Sequence, residues 1–517
     1  MKQKTMKRTS TRTSTRTSTA CALFLTSAVA VTSASCKSST PEPLTAAEPE
    51  SVTFAQPFLW GSASAGFQVE KGLPNTDWGK WVKTPNKIKN GDDPEVGGAD
   101  ALAHIDEDVA LLVAAGQNAY RFSIEWARLY PTRAAFDADL PDAAGIASYD
   151  KLFAALHAAK ITPFVTLQHF ALPDYLSDPA KSTEPQGWER PELIDLFGTW
   201  CGRIAKRWGG DVDWWGTINE PLVAPIAGYI QGSFPPGLIL AVDRALTAGK
   251  NEARAHAKCF DAIKAADTKD VDLDGKASMV GIVHNTPAVE PEDPTNPDDV
   301  AAADRVRYIN NHWILNAVVR GDWDDDFDGK YDGPNDKQGD PTLAGHSDYI
   351  GINYYSAIQA TVNGLKIPVI NAFIKNDHLS TDRPKTDFFW DIYPKGFGLV
   401  LQEAKRYALP IVITENGIAD SQDTNRARFL LEHLYELGRA KADGIDVRGY
   451  FYWSLLDNFE WASGFCPRFG LHSVDRTTGA RVARPSAKIY ANVARTGTVS
   501  KADIDAQKPY AEPAYCQ

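Results

Sequence analysis

From about Phe58 onward, short apolar runs alternate with longer stretches of helical periodicity. The runs read FLWGSASA, AYRFSIEW, ITPFVTLQHF, DWWGTINEP, MVGIVHN, DYIGINYYS, PIVITENG and GYFYWSLLDNFEW. Between them lie HIDEDVALLVAAG, YDKLFAALHAAK, PELIDLFGTWCGRIAKRWG, ALTAGKNEARAHAKCFDAIKAAD and RARFLLEHLYELGRAKADG, in which apolar residues return every three to four positions. The runs are mostly unbroken rather than alternating, which marks strands buried on both faces. Eight such strands, each followed by a crossover, predict an α/β fold with a parallel sheet closed into a (β/α)8 TIM barrel, a single catalytic domain. The rival, an open doubly wound sheet, would want a Gly-rich phosphate loop after the first strand, and there is none.

In such barrels chemistry gathers at the carboxyl ends of the strands. Here those ends carry Gln68, Arg121, His169, Asn219, Glu220, Asn353, Tyr355, Glu415, Trp453, Glu460 and Trp461. A sugar pocket needs this mixture: planar donors and acceptors for hydroxyls, and aromatic faces for the apolar side of a pyranose. Glu220 and Glu415 stand apart because each ends an apolar strand, in TINEP and ITENG. Taken singly, Glu220 reads as a first-turn helix acid before Pro221, and Glu415 as the opening of an Asn-Gly turn. Taken together, at the ends of the fourth and seventh strands, they are expected to face each other across the bore, as glycoside hydrolysis requires.

The blocks FLWGSASAGFQVE, YRFSIEWARLYP, VTLQHFALPDYL, WWGTINEP, DYIGINYYS, IVITENG and GYFYWSLLDNFEWASGFCPRFGLHSVD occur in this order between Phe54 and Arg495. The series resembles glycoside hydrolase family 1, the retaining β-glucosidase and β-galactosidase family. The resemblance implies a double displacement on a small-molecule β-glycoside or oligosaccharide, with no cofactor required for catalysis. β-Glucosidase is the leading activity, with β-galactosidase, β-fucosidase or transglycosylase as alternatives on the same site. It also implies Glu415 as nucleophile, Glu220 as acid/base, and Arg121 and Tyr355 as supports of the nucleophile. Gln68, His169, Asn219, Trp453, Glu460 and Trp461 would bind the sugar. Glu460, with no Lys in its block, points to an unphosphorylated glycone, because a carboxylate repels phosphate. Phe170 stands where the family more often has Trp, so a shifted glycone wall is expected. Non-catalytic sugar-binding relatives tend to lose one of the two acids; this chain keeps both.

The N-terminus bears on compartment. Residues 1–35 run from a basic, low-complexity start through ACALFLTSAVAV to small residues, the layout of a secretory signal peptide. The apolar stretch is short of the ~20 residues that span a bilayer. Cys36 follows directly and opens a Ser/Thr/Pro/Glu-rich tether, 36–53. This resembles a bacterial lipoprotein junction, with Ser33 where Leu is usual. Export is therefore expected, either as a periplasmic or cell-surface lipoprotein or by plain secretion, with a lipid on Cys36 the only membrane link. Losing residues 1–35 removes six basic and no acidic residues, moving the formal charge from −12 to −18. So acidic a body excludes nucleic acid as a partner.

The barrel domain is expected over 54–497, with a tail over 498–517. Of the Cys residues beyond Cys36, Cys201 and Cys259 fall in helical patterns where buried free thiols are common. Cys466 with Cys516 is one of several pairings open to the set. Two acidic inserts, near 268–280 and 320–345, each contain D-x-D-x-D-G: Asp270, Asp272, Asp274 and Asp324, Asp326, Asp328. Alternate carboxylates before a Gly turn gather hard oxygen ligands for calcium, although neither insert has the acidic twelfth residue of a full loop. The inserts read either as solvated surface or as structural calcium sites, and within the second reading one shared ion bridging both loops is geometrically open. The second insert could instead shape the aglycone entrance.

Overall fold

Each apolar run overlaps one strand of a closed parallel barrel: β1 (Leu59–Ala63), β2 (Ala119–Ser123), β3 (Thr162–Gln168), β4 (Trp214–Asn219), β5 (Met279–Asn285), β6 (Tyr349–Tyr354), β7 (Ile411–Asn416) and β8 (Val447–Trp453). The ring closes where β8 pairs with β1, from Gly449 opposite Leu59 to Trp453 opposite Ala63. This computed structural model describes residues 43–45, 47–364, 373–375 and 382–516. The expected signal segment and Cys36 lie outside the described residues. Among the described residues no helix is long and apolar enough to cross a membrane.

The principal outer helices are α1 (Ile105–Ala114), α2 (Ala143–Ala158), α3 (Glu192–Trp208), α4 (Val242–Ala266), α5 (Pro297–Arg307), α6 (Pro394–Ala404), α7 (Arg426–Ala442) and α8 (Pro485–Thr496). Three of them, α5, α6 and α8, escape the periodicity reading. Each is short and opens on Pro, and α5 runs into π-helical turns at Tyr308–His312. Proline at the first helical position marks a start, but a short amphipathic stripe carries little periodic signal.

Strand alternation builds the barrel interior in layers. Ala119, Phe164, Trp214, Met279, Tyr349, Val412 and Phe451 form a buried plug at the base of the bore. Phe164 touches Tyr349 and Phe451 across it, with ring centroids 5.7 and 5.2 Å apart. Two residues further along their strands stand Arg121, Thr166, Gly216, Thr414 and Trp453, so polar groups begin directly above the plug.

Cys201 and Cys259 are not free thiols. They form a disulfide between α3 and α4, with Cα atoms 5.3 Å apart. The helical pattern identified them correctly as buried, but only the packing of α3 against α4 brings the sulfurs together. Closing a separation of 58 residues stabilises by about 4 kcal/mol through the unfolded chain. Cys201→Ala/Cys259→Ala should therefore lower the melting midpoint by several degrees, measured by differential scanning calorimetry; an unchanged midpoint would deny the bridge a stabilising role. The second pair, Cys466 and Cys516, is also bridged.

The chain ends are tied together. Ser51–Thr53 pairs antiparallel with Thr498–Ser500. Upstream, the Thr45 N–H and hydroxyl donate to the carboxylate of Asp443, which lies in the turn between α7 and β8. Thr45 of the tether is thus fastened on the face where the strands begin.

Both acidic inserts lie on that same face, because they precede β5 and β6. This corrects the expectation that the second insert borders the aglycone entrance, which would require a loop following a strand. The bridging arrangement is corrected too. The carboxylates form two separate groups, Asp213 with Asp270 and Asp272, and Asp324 with Asp326 and Asp328, the oxygens in each within 4.8 Å. Asp274 is outside its group and accepts the Lys276 N–H; Asp213, from the turn before β4, takes its place. Backbone N–H groups of Val271, Gly275, Phe327 and Gly329 donate to these carboxylates and close the loops.

Candidate active site

Both strands that deliver a carboxylate lose regular pairing just before it. The register shifts between Gly216 and Asn219 of β4, and between Ile413 and Glu415 of β7. Such irregularities re-aim a side chain at the rim of a barrel. Glu415 ends up 3% exposed inside the bore rather than in a turn. The strand continues through Asn416, whose amide donates to Tyr354 O on β6. Gly417 does not serve a left-handed turn. It is needed because a Cβ there would lie 1.9 Å from the Trp453 carbonyl oxygen. Glu220 likewise belongs to no helix start: its φ of +49° throws the side chain into the bore at a sharp corner after β4.

Arg121 is fully buried and ties the site together. Its Nη1 donates to Glu415 Oε1 at 2.5 Å and to Thr414 O at 3.1 Å. Its Nε donates to Thr166 Oγ1 at 3.1 Å, and Nη2 to Asn219 Oδ1 at 2.6 Å. The Tyr355 hydroxyl donates to Glu415 Oε2 at 2.6 Å. Glu415 thus meets a cation on one oxygen and a phenol on the other. Burial, followed by the neighbouring Glu415 charge, lifts the phenol of Tyr355 well above its ordinary range.

Glu220 has a different setting. The Asn353 amide donates to its Oε1 at 3.0 Å and to Asn219 Oδ1 at 3.2 Å. Burial, then the charge on Glu415, pushes Glu220 up to about 8, against the pull of Asn353, Arg121 and Asn285. Two carboxyl groups in one cavity thus have different partners, a guanidinium and a phenol for Glu415 and an amide for Glu220, and burial beside its neighbour keeps the proton on Glu220 near neutrality.

The remaining expected residues surround this pair. Asn219 Nδ2 donates to His169 Nε2 at 3.1 Å, which leaves the imidazole proton on Nδ1. Burial, then Arg121, depresses His169 well below its usual range, so the ring stays neutral. Gln68 Nε2 donates to Phe459 O at 2.9 Å and reaches Glu460 Oε2 at 3.4 Å. Burial, then the charges of Glu415 and Glu220, raise Glu460 to about 8. Trp453 and Trp461 lie nearly parallel to the His169 ring, at 5.8 and 6.1 Å. Gln68 Oε1 and His169 Nδ1 are buried with no hydrogen-bond partner among the described residues. An acceptor and a donor left open inside one cavity suit the hydroxyls of a bound sugar.

Several contributors carry no clear mark in the sequence. Asn353 is visible as a strand-end amide, but its bridging of Asn219, Glu220 and Thr414 is not. Gln68 sits on a four-residue turn, Gly66–Val69, capped by Ser123 and Glu125 through the Gly66 and Phe67 N–H groups. Phe67, Trp78 and Phe234 pack around Trp461, and Phe170 meets it edge-on at 5.1 Å. Phe170 is thus part of an aromatic wall.

Known proteins resemble this chain over most of its length. The family model described as glycosyl hydrolase family 1 matches residues 50–498. A β-galactosidase of Pyrococcus woesei is 33% identical, over 87% of this chain and 98% of its own length. β-Glucosidase A of Thermotoga maritima is also 33% identical, over 86% and 98%. Among solved structures, the β-glycosidase of Thermosphaera aggregans superposes with a TM-score of 0.76 at 27% identity, covering 87% of this chain and 98% of that one. The Thermotoga maritima β-glucosidase in complex with glucoimidazole gives 0.74 at 30% identity, covering 86% and 99%. Matched over most of its length, the chain belongs to glycosyl hydrolase family 1 and is a glycoside hydrolase.

Proposed function

We propose that the protein is an exported retaining β-glycosidase that removes terminal non-reducing β-D-glucosyl residues by double displacement. The observation that carries this reading is the division between the two acids. Glu415, tied to Arg121 and Tyr355, is suited to attack the anomeric carbon. Glu220, proton-bearing up to about pH 8, is suited to protonate the leaving oxygen. Once Glu415 is esterified its charge is gone, and with it one of the causes that raise Glu220. Glu220 then gives up its proton more readily and serves as base for the incoming water, which hydrolyses the glycosyl-enzyme. Family 1 glycosidases need no cofactor for these steps.

Gln68, His169, Asn219 and Glu460 bind the glycone hydroxyls, and Trp453 and Trp461 its ring faces. The same burial that resists ionisation of Glu460 resists a further negative charge in this cavity, and so favours a neutral sugar over a phosphorylated one. The relatives named β-galactosidase and β-glucosidase, and the smaller Phe170 ring, support a wall that also admits galactose or fucose. Two disulfides among the described residues support an oxidising compartment.

The test is a panel of 4-nitrophenyl β-D-glucoside, galactoside, fucoside and 6-phosphoglucoside, assayed on pure protein and on intact producing cells. The glucoside should give the highest kcat/KM, the phosphoglucoside none, and intact cells should hydrolyse the substrates without permeabilisation. Phe170→Trp should raise the glucoside-to-galactoside ratio. Preference for the phosphorylated substrate, or activity confined to broken cells, would overturn the corresponding part.

A further inference from the structure

The last residues of the chain lie on the catalytic face, held by four different loops. Ala511 exchanges two hydrogen bonds with the Asn425 side chain, at 2.8 and 3.0 Å, in the loop after β7. The Ala514 N–H donates to Asp387 Oδ1 at 2.8 Å and the Cys516 N–H to Asp387 O at 2.9 Å, in the loop after β6. Lys89, from the loop after β1, donates to Cys516 O at 2.6 Å. The disulfide joins Cys516 to Cys466, six residues beyond Glu460 in the loop after β8. Every anchor follows a barrel strand, so this strap runs where substrate enters.

The strap brings an aromatic ring to that face. Tyr515 stacks on Phe389 with centroids 4.0 Å apart and planes 9° off parallel. Phe389 is 37% exposed and sits at φ +65°, a backbone conformation that costs a bulky residue energy. The chain therefore holds an aromatic side chain in water at a strained position. Its neighbours Phe388 and Trp390 stack at 4.7 Å, and the Trp390 ring is 5.6 Å from Tyr355, the residue bonded to Glu415. The segment Phe388–Trp390 thus carries rings both beside Tyr355, the partner of the nucleophile, and against the strap.

We propose that the strap Ala511–Cys516 builds a sugar-binding ledge beyond the cleaved bond, on which the Phe389–Tyr515 stack receives a pyranose ring of the leaving-group chain. The Cys466–Cys516 bridge locks that ledge to the loop bearing Glu460 and Trp461. This inference rests on the glycosidase reading above.

The experiment compares the parent with Tyr515→Ala and with a chain ending at Glu512. The substrates are 4-nitrophenyl β-D-glucoside and β-1,4-gluco-oligosaccharides of two to five units. Losing one stacked ring should raise KM for the four- and five-unit substrates by about three- to tenfold. Turnover of the nitrophenyl glucoside should stay within about twofold of the parent, since that leaving group carries no sugar. Cys516→Ser should give part of the same rise. An unchanged oligosaccharide KM in both strap variants would overturn the ledge, as would an equal loss on both substrate classes. A parent that cleaves the nitrophenyl glucoside but no oligosaccharide would also overturn it. A parent inactive on every glycoside would instead overturn the glycosidase reading.

Discussion

Glu415→Ala should reduce turnover of β-glycosides by about 10³- to 10⁶-fold, the range seen when a covalent nucleophile is removed. No other carboxyl group can substitute for it. Glu220 accepts from the Asn353 amide, and Glu460 is engaged with Gln68. With a small anion such as azide, the Ala variant should regain activity on dinitrophenyl β-glucoside and release an α-glycosyl azide. The anion would occupy the vacated side of the anomeric carbon and invert it once. The variant should also melt at a lower temperature, because Arg121 would remain fully buried after losing its carboxylate partner. Breaking a buried pair from one side costs about 3–5 kcal/mol. Retention of a tenth of the parental rate, or a β-configured azide from this variant, would sink the assignment.

Glu220→Gln should affect leaving groups unequally. For a poor leaving group, which needs a proton as its bond breaks, kcat/KM should fall by about 10²- to 10⁴-fold. For dinitrophenolate, which leaves without one, the first step should be far less impaired. The pH profile offers a second readout. A carboxyl raised to about 8 carries its proton below that pH and loses it above, so parental kcat/KM should decline as pH rises through about 8. Glu460 is raised to about 8 in the same cavity, so the limb belongs to interacting groups rather than to one residue alone. Gln cannot titrate, and the alkaline limb should flatten in the variant. An unchanged limb in Glu220→Gln would place the titrating proton elsewhere.

The barrel was legible because a strand buried on both faces leaves an unbroken apolar run, and each of the eight runs marks its strand, although the last begins two residues after β8 does. Glu415 and Glu220 were legible as acids at the ends of such runs. Their immediate geometry was not. TENG looks like a turn until the Trp453 carbonyl is seen packed against Gly417, and NEP looks like a helix start until Glu220 is found at a left-handed corner. Contacts between distant segments escaped as a class. The Cys201–Cys259 bridge, the Asn353 relay and the replacement of Asp274 by Asp213 each depend on which segments become neighbours when the barrel closes. The Asp-rich pattern gave the right composition, but its position before a strand rather than after one decides which face it occupies.

That same distinction between faces governs how the enzyme would sit on a cell. Thr45 is fastened to Asp443 on the face where the strands begin, whereas Glu415 and the strap open on the other. Eight residues lie between Cys36 and Thr45, which makes nine steps along the chain, and an extended chain spans at most about 3.6 Å per residue. A lipid on Cys36 would therefore hold the barrel within roughly 30 Å of the bilayer, moored by its closed end. The mouth would look outward, free to meet soluble glycans diffusing past and turned away from glycolipids in the same leaflet.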